Sequence, residues 1–183
     1  MDRRQRKTRE AIFTALTELL SQKNFSRITV GEIIERADVG RATFYAHFET
    51  KDDLLKELCA ELFCHIFDAA QGDAAGHRHI FSCEAPDSAF LHLLQHLQKN
   101  DHHILDLLSG RNNELFLGHF KTHLRQLVVS QLSLFAARKD ERLPESFWVD
   151  HIAATFTNTV RWWIEHGMRE SPKTVVEYFF LAV

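Results

Sequence analysis

The chain has 183 residues, 45% of them apolar, and a formal net charge of −3, enough apolar material for a substantial core and too little charge for the whole chain to be a generic polyanion binder. Its three cysteines (Cys59, Cys64, Cys83) show no CxxC spacing, which argues against a disulfide framework and for a reducing compartment. The start MDRRQRKTRE has no apolar signal segment and no run approaches the roughly 18 apolar residues of a membrane span, so a cytoplasmic protein without a membrane partner is expected.

Proline and glycine are scarce and apolar residues recur at three- and four-residue steps, which predicts an all-α protein. The first helix is expected from Arg4 to Lys23, with Ile12, Phe13, Leu16, Leu19 and Leu20 on one face. Asn24–Arg27 interrupts it. Thr29 stands at an N-cap position with Glu32 three residues on, the pattern of a capping box, before a short helix at 30–36. Asp38-Val39-Gly40 reads as a turn and 41–47 as a third short helix. Thr50 caps a fourth helix reaching about Gln71. Residues 72–85 read as a connection. Further helices are expected at 86–100, 101–109, 113–139 and 145–166, the last ended by Gly167 as the residue after the cap. Ser171-Pro172 opens a final helix as an N-cap and first-turn pair.

Charge is distributed unevenly. Residues 1–51 hold ten Lys/Arg against seven Asp/Glu, whereas residues 52–183 hold twelve against eighteen, so the N-terminal part is suited to a negative partner. Two short helices joined by a three-residue turn behind a longer one make a helix-turn-helix, which sets the second short helix in the DNA major groove. Phe44 and Phe48, four apart, belong on its inner face, with Tyr45 on the other beside Arg41.

The stretch TVGEIIERADVGRATFYAHFETKDDLL resembles the DNA-binding signature of the TetR family of transcription regulators. The match rests on Thr29, Ile33, Ala37, Val39, Thr43, Phe44, Tyr45, His47, Phe48, Lys51 and Asp52, with Phe25 and the basic N-terminus also fitting. Asp38 departs from the glycine usual there, though Asp tolerates the left-handed backbone better than most residues. The resemblance implies a DNA-binding domain over residues 1–50 and a helical ligand-binding and dimerisation domain over 51–183, with 51–71 a connecting helix. It implies a DNA-facing set of Arg27, Thr29, Gly40, Arg41, Ala42, Thr43, Tyr45, His47 and Lys51. Arg41 is the candidate for a base edge, with phosphate the alternative, and Tyr45, Thr43, His47 and Lys51 are expected on phosphates. Gly40 can let the backbone approach a phosphate, and Arg3, Arg4, Arg6 and Lys7 form a basic arm.

The tail TVRWWIEHGMRESPKTVVEYF is similar to one TetR C-terminal subtype. The family's organisation implies a homodimer on a double-stranded palindromic operator, released by an unknown small organic inducer, hence a repressor, with an activator of the same fold as the alternative. The residues implied for the ligand are Phe63, Phe67, Leu94, Leu108, Phe120, Phe156 and Trp163. Those implied for dimerisation are Leu124, Val128, Leu132, Phe135, Trp148, Ile152 and Thr159. Phe147, Trp148, Phe156, Trp162 and Trp163 cannot all fit one inward face, so some must meet a partner or a pocket.

Twelve histidines raise a metal-sensing alternative, since His92/His96 and His119/His123 are i, i+4 pairs able to share one ion. Without HExxH or CxxC the expectation is that these pairs, like His102-His103, are solvated and that no metal site and no cofactor are present. GxSxG, P-loop and GxGxxG patterns are all missing, so no enzyme is expected.

Overall fold

The stripe Ile12, Phe13, Leu16, Leu19 and Leu20 becomes the buried face of helix α1 (Arg3–Leu20) in the computed structural model of the chain. The structure describes residues 3–70, 88–99, 104–109 and 114–183. The expected connection at 72–85, the expected helix start at 113 and His102-His103 lie outside them. Among the described residues there are helices and turns and no strand.

A 3₁₀ turn (Phe25–Arg27) leads to α2 (Val30–Arg36), and α3 (Arg41–Tyr45) follows after the turn. The capping box forms as expected: Glu32 N–H donates to Thr29 Oγ1 at 3.3 Å, and Thr29 N–H donates to the Glu32 carboxylate at 2.9 Å. At the far end of α2, Asp38 takes a φ of 52°. Val39 N–H reaches back to Ile34 O and Asp38 N–H to Glu35 O, the paired bonds of a Schellman motif. An aspartate therefore fills the left-handed position that glycine would fill without strain, and the turn keeps its geometry. Helix α3 ends at Tyr45, two residues short of the expected 47, with Phe48 N–H bonded to Phe44 O in the turn that follows.

Helix α4 (Lys51–Ala70) is capped by Thr50, whose N–H and hydroxyl both donate to Asp53 Oδ2 while its oxygen accepts from Asp53 N–H. It packs on α5 (Ala89–Lys99) and on α7 (Glu114–Ser130). The short α6 (Ile104–Ser109) lies on α7. Helix α8 (Glu145–Glu165) packs on α7 and on α9 (Pro172–Ala182), and α9 returns to α5. The buried apolar side chains of α1–α3 and of the C-terminal helices form one continuous cluster that includes Leu54, Leu55, Leu58 and Leu62 of α4.

The longest expected helix is corrected. It ends at Ser130, where the hydroxyl bonds Leu127 O at 2.8 Å, and Leu132–Arg138 winds as 3₁₀. Leu132 and Phe135 are three residues apart, a step that lies on one face of either winding, so apolar spacing could not tell them apart. The tighter turn carries Phe135 into a ring cluster with Phe90, Phe179 and Phe180, at centroid distances of 5.9, 5.9 and 5.5 Å. At the end of α8 the glycine expectation holds. Gly167 has φ 74°, and Met168 N–H bonds Trp163 O while Gly167 N–H bonds Ile164 O.

Candidate nucleic-acid interface

Five residues cannot sustain a helix by hydrogen bonding alone, so α3 depends on its buried face. Phe44 is fully buried and Phe48 2% exposed, with ring centroids 5.8 Å apart. Phe48 meets Phe13 of α1 edge-on at 5.6 Å. Arg9 covers both rings, its guanidinium 5.4 Å from Phe13 and 5.1 Å from Phe48, and it bonds Glu57 of α4 at 3.1 Å. These contacts hold α3 and the start of α4 on one scaffold.

The opposite face of α3 is open. Arg41, Ala42, Thr43 and Tyr45 are exposed, and His47 is partly exposed just past the helix end. Tyr45 keeps 47% of its surface in solvent while its ring stands edge-on to Phe44 at 5.4 Å, so the buried ring fixes the outward one. Among the described residues Arg41 has no ion-pair or hydrogen-bond partner, and its guanidinium is available to an acceptor from outside. An exposed Arg-Thr-Tyr face on a rigid short helix can donate to phosphate oxygens and to guanine O6 and N7.

The remaining expected contacts occupy different positions. Arg27 is exposed at the end of the 3₁₀ turn. Gly40 caps α3 with an ordinary φ of −72°, and an added Cβ would meet only Thr43 Oγ1 at 3.7 Å, so the fold itself does not require glycine there. The Thr29 hydroxyl donates to the Glu32 carboxylate at 2.9 Å, which commits its proton within the chain. Lys23 on the same carboxylate, together with the two Thr29 bonds, holds the Glu32 carboxyl down at about 2. Arg3, Arg4, Arg6 and Lys7 are the first turns of α1 rather than an extended arm, and Arg6 pairs with Glu10 at 3.6 Å.

Lys51, expected on a phosphate, is instead turned inward. Its ammonium donates to Phe25 O at 3.1 Å and Ile28 O at 3.0 Å and sits 4.6 Å from the centroid of the Phe25 ring. It ties the head of α4 to the chain between α1 and α2. Sequence spacing gave no sign of this, since those carbonyls lie more than twenty residues away. Lys51→Ala is expected to lower unfolding stability by about 1.5 kcal/mol, the scale of a lost hydrogen bond to a charged group. Chemical denaturation reads that loss, and a salt titration of DNA binding should keep its slope, whereas loss of a phosphate contact would reduce the slope by about one.

The residues expected to form a ligand site are divided between places. Phe63 and Phe120 meet edge-on at 5.2 Å between α4 and α7, and Phe63 stacks on His123 at 5.3 Å. Phe156 belongs to the other ring cluster, 5.3 Å from Phe90 and 5.1 Å from Phe179. Trp163 donates from its indole to Glu170 O at 3.0 Å and anchors the turn into α9. Leu94 is buried, and Phe67 and Leu108 pack partly buried on the core. Among the described residues no ring contact joins the Phe63 pair to the Phe156 cluster.

The expected dimer residues are corrected more strongly. Leu124, Val128, Phe135, Trp148 and Ile152 are at most 5% exposed within a single chain and have no surface to offer a second one, and Leu132 and Thr159 are half-buried. The apolar side chains that do face out on α8 and α9 are Phe147 (55% exposed), Trp162, Tyr178 and Leu181. Trp162 and Tyr178 stand 6.0 Å apart, which joins the two helices into one exposed aromatic strip. Trp148, Phe156 and Trp163 take the core, and Phe147 and Trp162 are left outside, dividing the five aromatics of α8.

His92 and His96, expected on a solvated face, are each 1% exposed. Burial first, then His96, His65 and Lys99, holds His92 down at about 3, so its ring is neutral. No described helix is long and apolar enough to cross a membrane.

Similarity to other proteins agrees with this arrangement. Residues 12–58 match the family model for bacterial regulatory proteins of the tetR family, and residues 84–183 match that for a transcriptional regulator C-terminal region. A TetR transcriptional regulator from Streptococcus agalactiae is similar in structure with a TM-score of 0.75, at 31% identity over all of this chain and 96% of that one. The dihydroxyacetone kinase operon activator DhaS, 19% identical with a TM-score of 0.58 over 96% of each chain, shares the fold. The HTH-type transcriptional regulator YxbF of Bacillus subtilis is 37% identical over 71 residues, which span 36% of this chain and only 19% of that relative.

Proposed function

The chain belongs to the TetR family of bacterial transcriptional regulators, and from that footing we propose that it is a dimeric, effector-responsive repressor that binds a palindromic operator through the outer face of α3. The observation that carries this reading is the division of α3 itself. Phe44 is buried to hold the helix, while Arg41, Thr43 and Tyr45 are exposed beside it, Tyr45 resting on the core through its edge-on contact with Phe44. Residues 1–50 supply the DNA contact, and residues 51–183 the dimer and the effector response.

Dimerisation follows from reach. One five-residue helix covers few base pairs, and two copies spaced about 34–36 Å double the footprint on successive major-groove faces. The exposed Trp162 and Tyr178, in contact across α8 and α9 with Leu181 one turn further along α9, support the homodimer, because adjoining exposed apolar side chains on two helices mark an association surface. Helix α4 supports the effector response. Its head is tied to the DNA-binding unit through Lys51 and the Arg9–Glu57 bond, and its body packs on α5 and α7. An effector that shifts α4 moves the recognition helices, provided it binds the DNA-incompetent state more tightly. Activation is the alternative reading, favoured by the likeness to DhaS, an operon activator with the same fold.

Selection of bound duplexes from a random-sequence pool tests the proposal. An inverted repeat with half-site centres about 10 base pairs apart, or a multiple of that, is expected. A pool that shows no enriched sequence would overturn the reading. A reporter carrying the selected site within its promoter then gives the sign: repression is expected, and increased transcription establishes the activator.

A further inference from the structure

The three histidines at the junction of α4 and α5 lie outside the DNA-binding unit and the aromatic strip. His92 and His96 are one turn apart on α5, so their rings share a face, and His65 reaches them from α4. The three ring pairs are equally spaced, with centroids 4.9 Å apart in each. One nitrogen from each residue falls in a group whose members all lie within 4.8 Å of one another. His92 Nε2 and His96 Nε2 are 3.2 Å apart.

Two imidazole nitrogens on a tetrahedral ion, each at 2.0–2.1 Å, stand about 3.3 Å from one another. The His92–His96 pair already has that separation. His65 is half-buried, which gives the ion a way in, and coordination would draw its ring nitrogen the remaining distance to the other two. The same 3.2 Å separation also suits a hydrogen bond between two neutral rings, so a histidine staple is the competing account. A staple needs two rings, however, and the third ring from the facing helix, equidistant from both, is what coordination adds.

We propose that His65, His92 and His96 bind a divalent late-transition metal ion, of the Zn²⁺, Co²⁺ or Ni²⁺ class, that fastens α4 to α5. The all-imidazole donor set selects these ions over Mg²⁺ and Ca²⁺, which take oxygen ligands. Three protein ligands leave a position for water or an exogenous anion. The site lies on the helix that begins directly after the recognition helix, so the ion is the effector, or part of it. This regulatory half rests on the effector response proposed above, whereas the binding half stands on the histidine geometry.

The test uses the untagged full-length chain, stripped with chelator and titrated calorimetrically with Zn²⁺. One ion per chain is expected. His65→Gln and His96→Gln are each expected to weaken binding by more than about tenfold, given that losing an outer-shell partner alone costs 10–100-fold. His119→Gln/His123→Gln should bind as the unaltered chain does. Binding well below one ion per chain, or undiminished in His65→Gln, would overturn the site. Should His96→Gln fail to fold, the unaltered chain still decides through Co²⁺. Intense visible absorption of a tetrahedral ion, lost on adding Zn²⁺, supports the site, and the weak absorption of a hydrated octahedral ion overturns it. The regulatory half is read from operator affinity with and without saturating Zn²⁺. A change of about fivefold or more is expected, the lower end of allosteric coupling. A bound ion that leaves operator affinity unchanged overturns the regulatory half alone. Failure to bind any operator at every Zn²⁺ concentration would instead count against the regulator reading and leave the calorimetric result standing.

Discussion

With Arg41 and Tyr45 both replaced by alanine, operator affinity is expected to fall by about two orders of magnitude while the fold is retained. A bidentate guanidinium contact with guanine contributes about 1–3 kcal/mol, a phosphate contact adds about another, and every 1.4 kcal/mol is tenfold in affinity. Both side chains are exposed, Tyr45 by 47%, so their removal takes little packing from the chain. Stability should therefore stay within about 0.5 kcal/mol of the unaltered protein. The single variants separate the two roles. Arg41→Ala should lose discrimination at one base position in a selection experiment if it reads a base edge, and Tyr45→Phe should weaken all sequences alike if its hydroxyl meets phosphate. Unchanged binding of the double variant in a gel-shift titration at moderate salt would remove the outer face of α3 from the interface.

Phe44→Ala should give the opposite pattern. This ring is fully buried and lies against Phe48, which in turn touches Phe13. Truncating a buried Phe costs about 3–5 kcal/mol, counting both the lost transfer energy and the cavity left behind. That is a large share of the stability of an ordinary domain and falls on a helix with no independent means of holding its shape. The expected result is a lower denaturation midpoint together with loss of operator binding. Hydrogen exchange should show α2 and α3 opening before α7 and α8. If denaturation is unchanged yet DNA binding is lost, Phe44 contacts DNA and the burial of its ring in solution is refuted. The two experiments thus distinguish removing a contact from removing its support.

Some features of the chain are set by neighbours in sequence and others by contacts between distant segments. Helix starts and stops are local. Thr29 with Glu32, Thr50 with Asp53, Ser171 with Pro172, and Gly167 after α8 all appear where side-chain chemistry within four residues dictates. The same holds for Asp38, whose left-handed backbone could be anticipated from the tolerance of aspartate for it. The bonds of Lys51 have no local sign, because its partners, Phe25 O and Ile28 O, come from a distant segment that only the folded unit brings near.

By itself, then, the sequence determined the all-helical class, the helix-turn-helix register, the inward Phe44 and Phe48 and the outward Arg41, Thr43 and Tyr45, since periodicity and capping act over a few residues. Only the tertiary structure decided which apolar faces are core and which are left for a partner. Leu124, Val128 and Ile152 carry the same spacing as any interface stripe, and it is the seating of α8 on α7 that buries them and leaves Phe147 and Trp162 outside. It also decided that His92 and His96 turn inward to meet His65 rather than water. An i, i+4 step places two side chains on one face of a helix, but which neighbour that face meets is set by packing between segments far apart in the chain.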